Sequence, residues 1–305
     1  MLERIFRSAS SRKPVEVPAP APRPKLGLAL GGGFARGMAQ IGVLKVLEEE
    51  KIPVDFVAGT SVGAAIGAVY CSGVSAKELE ELAAILKFSH IARWTLSRLG
   101  LCSNDRLAGL LAKTLRVKTF EELRIPLAVA ATDFTTGESV VYTSGDLVDP
   151  VRASCAYPGV FLPVNVNGRL MVDGLLTHPV PATPLKHMGA DKVIAVYFNS
   201  HWVGATGPKH FMDVIGQCFS IAQARMCELW QVNADIILEP DVQPYAYDAF
   251  NKAGEMIKAG EASARAALPS ILAWYEGKVP ELRPASTTPS PVSLKIMPTT
   301  LPATG

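Results

Sequence analysis

An α/β fold with a mostly parallel central sheet flanked by helices is what this 305-residue sequence predicts. Three observations lead there. Short apolar runs of strand length recur along the chain, helical patterns separate several of them, and two runs end in glycine turns that open directly into helices. Hydrophobic residues make up 49% of the chain and aromatic ones only 7%, so the core is built from Ala, Val, Leu and Ile. A chain of this length buries a full core within one domain.

The strand-like runs are Lys25–Leu30, Asp55–Ala58, Leu127–Thr132, Val140–Thr143, Lys192–Phe198 and Ile236–Leu238, with a further one over Val164–Leu170. After the first run comes Gly31-Gly32-Gly33-Phe34-Ala35-Arg36-Gly37, then a helical stretch from Met38 to Glu50 with Ile41, Leu44 and Leu47 on one face. A strand that enters a glycine loop and a helix leaves backbone N–H groups aimed at one spot, an anion site in waiting. Neither nucleotide pattern fits it. No Gly-Lys-Ser/Thr follows the loop, and a G-x-G-x-x-G count from Gly31 meets Arg36 at its last glycine, while one from Gly32 meets Phe34 at its second. What remains is a set of backbone donors suited to an oxyanion.

The second run leads into Gly59-Thr60-Ser61-Val62-Gly63, a G-x-S-x-G between an apolar run and a small-residue helix. A nucleophile elbow needs that context: the serine stands on a sharp turn, and a glycine on each side lets the chain fold back. Further on, Arg152-Ala153-Ser154-Cys155-Ala156-Tyr157-Pro158-Gly159-Val160-Phe161 precedes Met171-Val172-Asp173-Gly174. An Asp-Gly at a strand end reads as a turn. It also reads as a base for Ser61, because a serine hydroxyl needs a neighbouring group to take its proton.

Taken together, the Gly loop with its arginine, the G-x-S-x-G, the A-S-x-A-x-P-G-x-F stretch and the late D-G resemble the patatin-like phospholipases, in particular the bacterial branch related to the catalytic domain of neuropathy target esterase. The resemblance runs in order from about Lys25 to about Ala267. It implies a three-layer patatin-like α/β fold and a Ser–Asp dyad that works without a catalytic histidine. Carried over, Ser61 is the nucleophile and Asp173 the general base. The backbone N–H groups of Gly32, Gly33 and Phe34 form the oxyanion hole, with Arg36 supporting the loop. The chain departs from the family pattern at Phe34, where a third glycine is usual, at Leu175 after the D-G, and at His178, where asparagine is usual. The activity implied is hydrolysis of fatty acyl esters of phospholipids or lysophospholipids through an acyl-enzyme.

Two other readings remain open from the residues. One is an esterase for small soluble esters with a Ser…Asp…His order. Of His90, His178, His187, His201 and His210, four follow Asp173; His178 lies closest to it in sequence, and His187 looks like a helix end. The other is a non-hydrolytic binding module on the same fold. For an acyl chain, the segment Val74 to Val117 is the expected wall. Leu79, Leu82, Ala83 and Leu86 share a helical face there, followed by Trp94, Leu96, Leu99 and Leu101, and Phe34 is a further contributor. Such stripes equally describe plain core packing. Asp191 and Asp235 read as turn or cap residues.

No cofactor and no metal is expected, since no carboxylate, histidine or cysteine cluster has ligand spacing. Five cysteines in unrelated contexts give no disulfide framework, which fits a cytoplasmic setting. Residues 1–24 read as a disordered basic, Pro-rich arm, 25–278 as the acyl hydrolase domain, and 279–305 as a disordered Pro/Ser/Thr-rich tail. Through Lys25 the arm has six basic residues against two acidic, a net +4, which leaves −2 for the rest of a chain whose total is +2. Met1 to Arg7 combine basic and apolar groups that suit peripheral contact with an anionic membrane surface, and the plainer reading is a solvated tail. The expected partner is a lipid or acyl-ester substrate, and no nucleic acid. No run of ~18 apolar residues marks a membrane span.

Overall fold

The computed structural model describes residues 23–198 and 211–275. The arm up to residue 22, the tail from 276, His201 and His210 lie outside the described residues.

In chain order the first elements are β1 (Leu26–Leu30), α1 (Ala39–Glu49), β2 (Phe56–Thr60) and α2 (Val62–Cys71). A helical excursion follows: α3 (Ala76–Ile85), α4 (Phe88–Ile91), a hairpin of β3 (Arg93–Trp94) and β4 (Cys102–Ser103), and α5 (Asp105–Thr114). The chain then runs through β5 (Leu127–Asp133), β6 (Ser139–Tyr142), α6 (Val148–Ser154), β7 (Val164–Val166) and β8 (Arg169–Asp173). It ends with α7 (Ala182–His187), β9 (Lys192–Val196), α8 (Phe211–Gln231), β10 (Ile236–Leu238) and α9 (Ala253–Leu272).

The main sheet has the order β10-β9-β1-β2-β5-β8-β7, with β6 also paired to β5. From β10 to β5 every pairing is parallel, as the alternation of strands and helices predicts. Beyond β5 the sheet turns antiparallel, which the sequence pattern does not announce. The run Val164–Leu170, expected as one strand, is the hairpin β7–β8. Asn167 and Gly168 take φ 52 and φ 83, the double positive φ of a tight two-residue turn.

Side-chain alternation in β1 sorts the layers. Leu26, Leu28 and Leu30 face α1, α2 and α9, while Ala29 faces α7 and Trp230 of α8. Each buried leucine of that row contributes about 1.5–3 kcal/mol by leaving water. The small residues on the other face let α7 sit close to the sheet, and the result is a sheet between two helical layers. Before β1, Arg23 forks onto Asp55 at 2.7 and 2.8 Å, so this end of the expected arm is tied to the domain. Among the described residues, no helix is long and apolar enough to cross a membrane.

Parallel pairing sets Leu30 beside Gly59, so the loops that leave β1 and β2 are neighbours at one edge of the sheet. Asp173, at the end of antiparallel β8, pairs with Ala131 of β5, one residue past the partner of Thr60. Three loops distant in sequence therefore meet at one level of the sheet.

Candidate active site

Ser61 is the single residue between β2 and α2, with φ 56 and ψ −127. A side-chain-bearing residue in that region costs about 1–3 kcal/mol and persists only where its surroundings hold it. Here they do. The Ser61 N–H donates to Ser154 Oγ at 2.8 Å, and Ser154 Oγ donates to the Ala130 carbonyl at 2.6 Å. The Ser61 carbonyl accepts from the N–H groups of Ala64 and Ala65 and from Cys155 Sγ. Both flanking glycines are sterically required: a Cβ on Gly59 would collide with the Gly63 carbonyl oxygen, and one on Gly63 with the Leu30 carbonyl oxygen. Gly63→Ala is therefore expected to cost about 3 kcal/mol or more, read as a lowered melting temperature, because backbone must give way on both sides.

Asp173 is completely buried. Its two oxygens have separate tasks. Oδ2 accepts the Ser61 hydroxyl at 2.7 Å, and Oδ1 accepts the Leu175 N–H at 3.0 Å. The ordinary turn reading of Asp-Gly and the functional one thus coexist on one carboxylate. The main chain is pinned by Asp173 N–H to the Ala156 carbonyl and by Thr132 Oγ1 to the Asp173 carbonyl. Burial pushes the carboxyl up to about 7, against the pull of its hydrogen bonds from Ser61 and Leu175. No cation pairs with it among the described residues.

The backbone donors of the glycine loop are engaged differently. The Gly32 N–H is taken by the Pro179 carbonyl at 3.1 Å, and that of Gly31 by Val196. Among the described residues, no protein acceptor takes the N–H of Gly33 or Phe34. Phe34 itself adopts φ 52, so the chain makes the glycine-like bend there without glycine. Arg36 is buried and ties the loop to the segment before α9. Its Nε donates to the Tyr245 carbonyl at 2.8 Å, and the guanidinium stacks 4.0 Å from the centre of the Tyr247 ring. Gln40 adds a donor to the Gly31 carbonyl at 2.6 Å.

Two cavities meet at Ser61 and Phe34. One, of about 120 Å³, is apolar and bounded by residues such as Leu79, Leu86, Leu107, Leu111 and Phe161. The other, about 30 Å³, carries polar groups from Gly33, Tyr157, Ser220, Gln223 and Tyr247. The segment Val74 to Val117 supplies much of the apolar wall, but Trp94, Leu96, Leu99 and Leu101 take no part in it. Those four side chains point into solvent.

The described histidines make their contacts elsewhere. His178 Nδ1 lies 2.7 Å from Ser139 Oγ, its carbonyl accepts from Thr60 Oγ1, and burial holds its imidazole below the ordinary value. His90 is exposed and accepts from the Lys87 N–H, while His187 closes α7. Asp191 accepts from the Lys25 N–H. Asp235 does more than cap: it pairs with Lys186 and Lys192 and accepts the Val193 N–H. Among the described residues, no group of three or more His, Cys, Asp or Glu side chains is placed to hold a metal ion.

Ser154, Thr132 and Gln40 are the positioning residues that sequence reasoning missed. Ser154 lies inside a stretch already conspicuous in the sequence, yet its partner Ser61 is 93 residues away and no local pattern links them.

The patatin-like phospholipase family model matches residues 28–186, the span from β1 through the Gly loop, Ser61 and Asp173 to α7. An uncharacterized NTE family protein of Mycobacterium tuberculosis is 36% identical over 183 residues, 59% of this chain and 51% of that protein. Lysophospholipase NTE1 of Mycosarcoma maydis is 30% identical over 198 residues, 62% of this chain and 10% of that protein. The chain thus matches about half the length of its mycobacterial relative and a tenth of the fungal one. Among solved structures, VipD from Legionella pneumophila aligns over 82% of this chain and 67% of its own, with TM-score 0.49 and 15% identity.

Proposed function

The chain belongs to the patatin-like phospholipase family, and from that premise we propose that it is a serine acyl hydrolase acting on fatty acyl esters of phospholipids or lysophospholipids through a Ser61–Asp173 dyad. The observation that carries this reading is the 2.7 Å hydrogen bond from Ser61 Oγ to a buried carboxylate, at the mouth of an apolar cavity.

The chemistry follows from the geometry. A carboxylate with its ordinary affinity for protons is a weak base, and one whose burial raises it to about 7 is matched to neutral pH. Asp173 takes the Ser61 proton as Oγ attacks the ester carbonyl carbon. The resulting oxyanion is placed to accept from Gly33 and Phe34, whose N–H groups are free of protein acceptors among the described residues, while Gly32 holds the loop through Pro179. Collapse breaks the ester C–O bond, and the leaving alcohol takes the proton back from Asp173. Water then attacks the acyl-enzyme, gives a proton to Asp173, and releases the fatty acid and the Ser61 hydroxyl. An acyl chain lies in the apolar cavity, and the adjoining polar cavity, which also reaches Ser61, suits the alcohol part and the incoming water.

The test is hydrolysis of p-nitrophenyl esters of increasing chain length. Each buried methylene is worth about 0.8 kcal/mol, so kcat/KM should climb up to about fourfold per CH2 until the cavity is full. Leu110→Trp, which fills part of that cavity, should move the optimum to shorter chains. A chain-length profile that is flat, and flat in the variant, would overturn the acyl-pocket assignment. His178→Ala should stay within a few-fold of wild type, since its ring bonds Ser139 and neither Ser61 nor Asp173; loss of turnover there would favour the histidine-dependent esterase.

A further inference from the structure

Four of the twelve large hydrophobic side chains left exposed among the described residues fall within eight positions: Trp94 at 72%, Leu96 at 108%, Leu99 at 68% and Leu101 at 36%. They lie on the β3–β4 hairpin and its connecting loop. Singly exposed leucines need no explanation, but a tryptophan and three leucines on one protrusion do.

The protrusion is held in place. Thr95 N–H bonds the Leu101 carbonyl across the loop at 3.0 Å, and Arg93 and Trp94 pair with Ser103 and Cys102. The N–H groups of Leu101 and Cys102 both reach the Val160 carbonyl, and Leu162 N–H bonds Cys102. These bonds attach the hairpin to the strip that carries Phe161, a wall of the apolar cavity. Leu86 and Ile91 line that cavity just before the hairpin, and Leu107 just after it. The hairpin that carries the exposed apolar tip is therefore joined at its base to the wall of the cavity that opens on Ser61.

Its charge is one-sided. From residue 85 to 106 the chain carries Lys87, Arg93, Arg98 and Arg106 against Asp105 alone. Asp105 is itself engaged by Arg152 at 2.7 Å and by Arg93 at 3.5 Å. Arg98 is exposed and has no ion pair among the described residues. Apolar side chains at a tip with basic residues around them match the interfacial layer of an anionic bilayer, where Trp sits well and cations are attracted.

We propose that the hairpin Arg93–Ser103 docks the protein on an anionic lipid surface and so sets the rim of the apolar cavity against the bilayer. The purpose of this docking rests on the acyl-hydrolase reading, whereas the docking itself is measurable without it. A lipid leaving the bilayer then passes its chain from one apolar environment to another and avoids exposure to water.

The experiment is co-sedimentation of the full chain with vesicles of phosphatidylcholine, with and without phosphatidylglycerol. Hydrolysis of a short-chain monomeric ester is followed on the same samples. The variants are Trp94→Ser with Leu96→Ser, and separately Arg98→Glu. The double variant should lower partition onto phosphatidylglycerol vesicles about tenfold or more. Charge reversal at Arg98 should lower it at least about fivefold, with a smaller effect on pure phosphatidylcholine. Short-ester turnover should change less than about twofold in both, because neither site touches Ser61. Variants that bind vesicles like the wild type would overturn the proposal, even if residues 1–7 bind lipid. So would a wild-type dimer that the double variant splits while vesicle binding is unchanged, since the patch would then join two copies. A wild type inert on every ester but bound to vesicles through the hairpin would remove the hydrolase reading and uphold the docking.

Discussion

Replacing Asp173 with asparagine is expected to lower kcat on acyl esters by about a hundredfold to ten-thousandfold, the usual worth of a general base, and to make the folded chain more stable above pH 7. Both effects come from one cause. Burial raises the carboxyl of Asp173 from 3.8 to about 7. Between those values the folded chain holds a proton that the unfolded chain has lost, so stability declines as pH rises through the window and the full penalty is present above about pH 7. At about 1.4 kcal/mol per pH unit the penalty comes to about 4 kcal/mol. Asparagine keeps an oxygen for the Leu175 N–H and carries no charge, so it escapes the penalty. Melting curves of the two proteins should therefore lie closest near pH 4, separate as pH rises towards 7 and keep a constant gap above it. In the wild type, kcat/KM should fall about tenfold per pH unit below 7, as the base becomes protonated. A variant that is inactive and less stable at every pH would mean that Asp173 serves packing alone.

Ser61→Ala should abolish turnover by about 10⁴-fold to 10⁶-fold, as expected when a nucleophile is removed. Ser61→Gly should be equally inactive but more stable than Ser61→Ala. The strain at φ 56 belongs to any residue with a Cβ, and glycine adopts that angle freely. Alanine leaves the strain in place and deprives Asp173 Oδ2 of its donor. Comparison of the two inactive variants by thermal melting, with a gap of about 1 kcal/mol or more expected in favour of glycine, separates the cost of the elbow from the chemistry of the hydroxyl.

Ser61 and Asp173 were legible in the sequence because each sits in a local signal. The glycines around Ser61 are forced by collisions, Gly59 with the nearby Gly63 carbonyl and Gly63 with the Leu30 carbonyl of the neighbouring strand, and the tight elbow sets both into one compact pattern. The Asp-Gly at the end of β8 is legible for a similar reason: a Cβ on Gly174 would strike the Ala130 carbonyl oxygen. Parallel strands β1, β2, β5, β9 and β10 were likewise visible as apolar runs, because burial on both faces removes polar residues from them.

The remainder depends on contacts that no local pattern encodes. Ser154 reaches Ser61 across 93 residues. The Gly32 N–H is taken by a carbonyl that the chain supplies only after Asp173. In Val164–Leu170 the strand pattern continues through Asn167-Gly168, so the hairpin was hidden although the turn dipeptide was present. An apolar stripe looks the same whether it faces a core or water, so the sequence groups Trp94 and Leu96 with the cavity wall. Their exposure is what turns that misplacement into a candidate membrane surface.

Covalent trapping tests directly whether Ser61 is a nucleophile activated by Asp173. The full chain is incubated with an alkyl fluorophosphonate across pH 5 to 9, and the adduct is located by peptide mass spectrometry. A Ser61–Asp173 dyad requires a single modified residue, Ser61, labelled at a rate that rises to a plateau near pH 7, collapses in Asp173→Asn and persists in His178→Ala. An adduct on another residue, or labelling of Ser61 that is indifferent to Asp173→Asn, would contradict it.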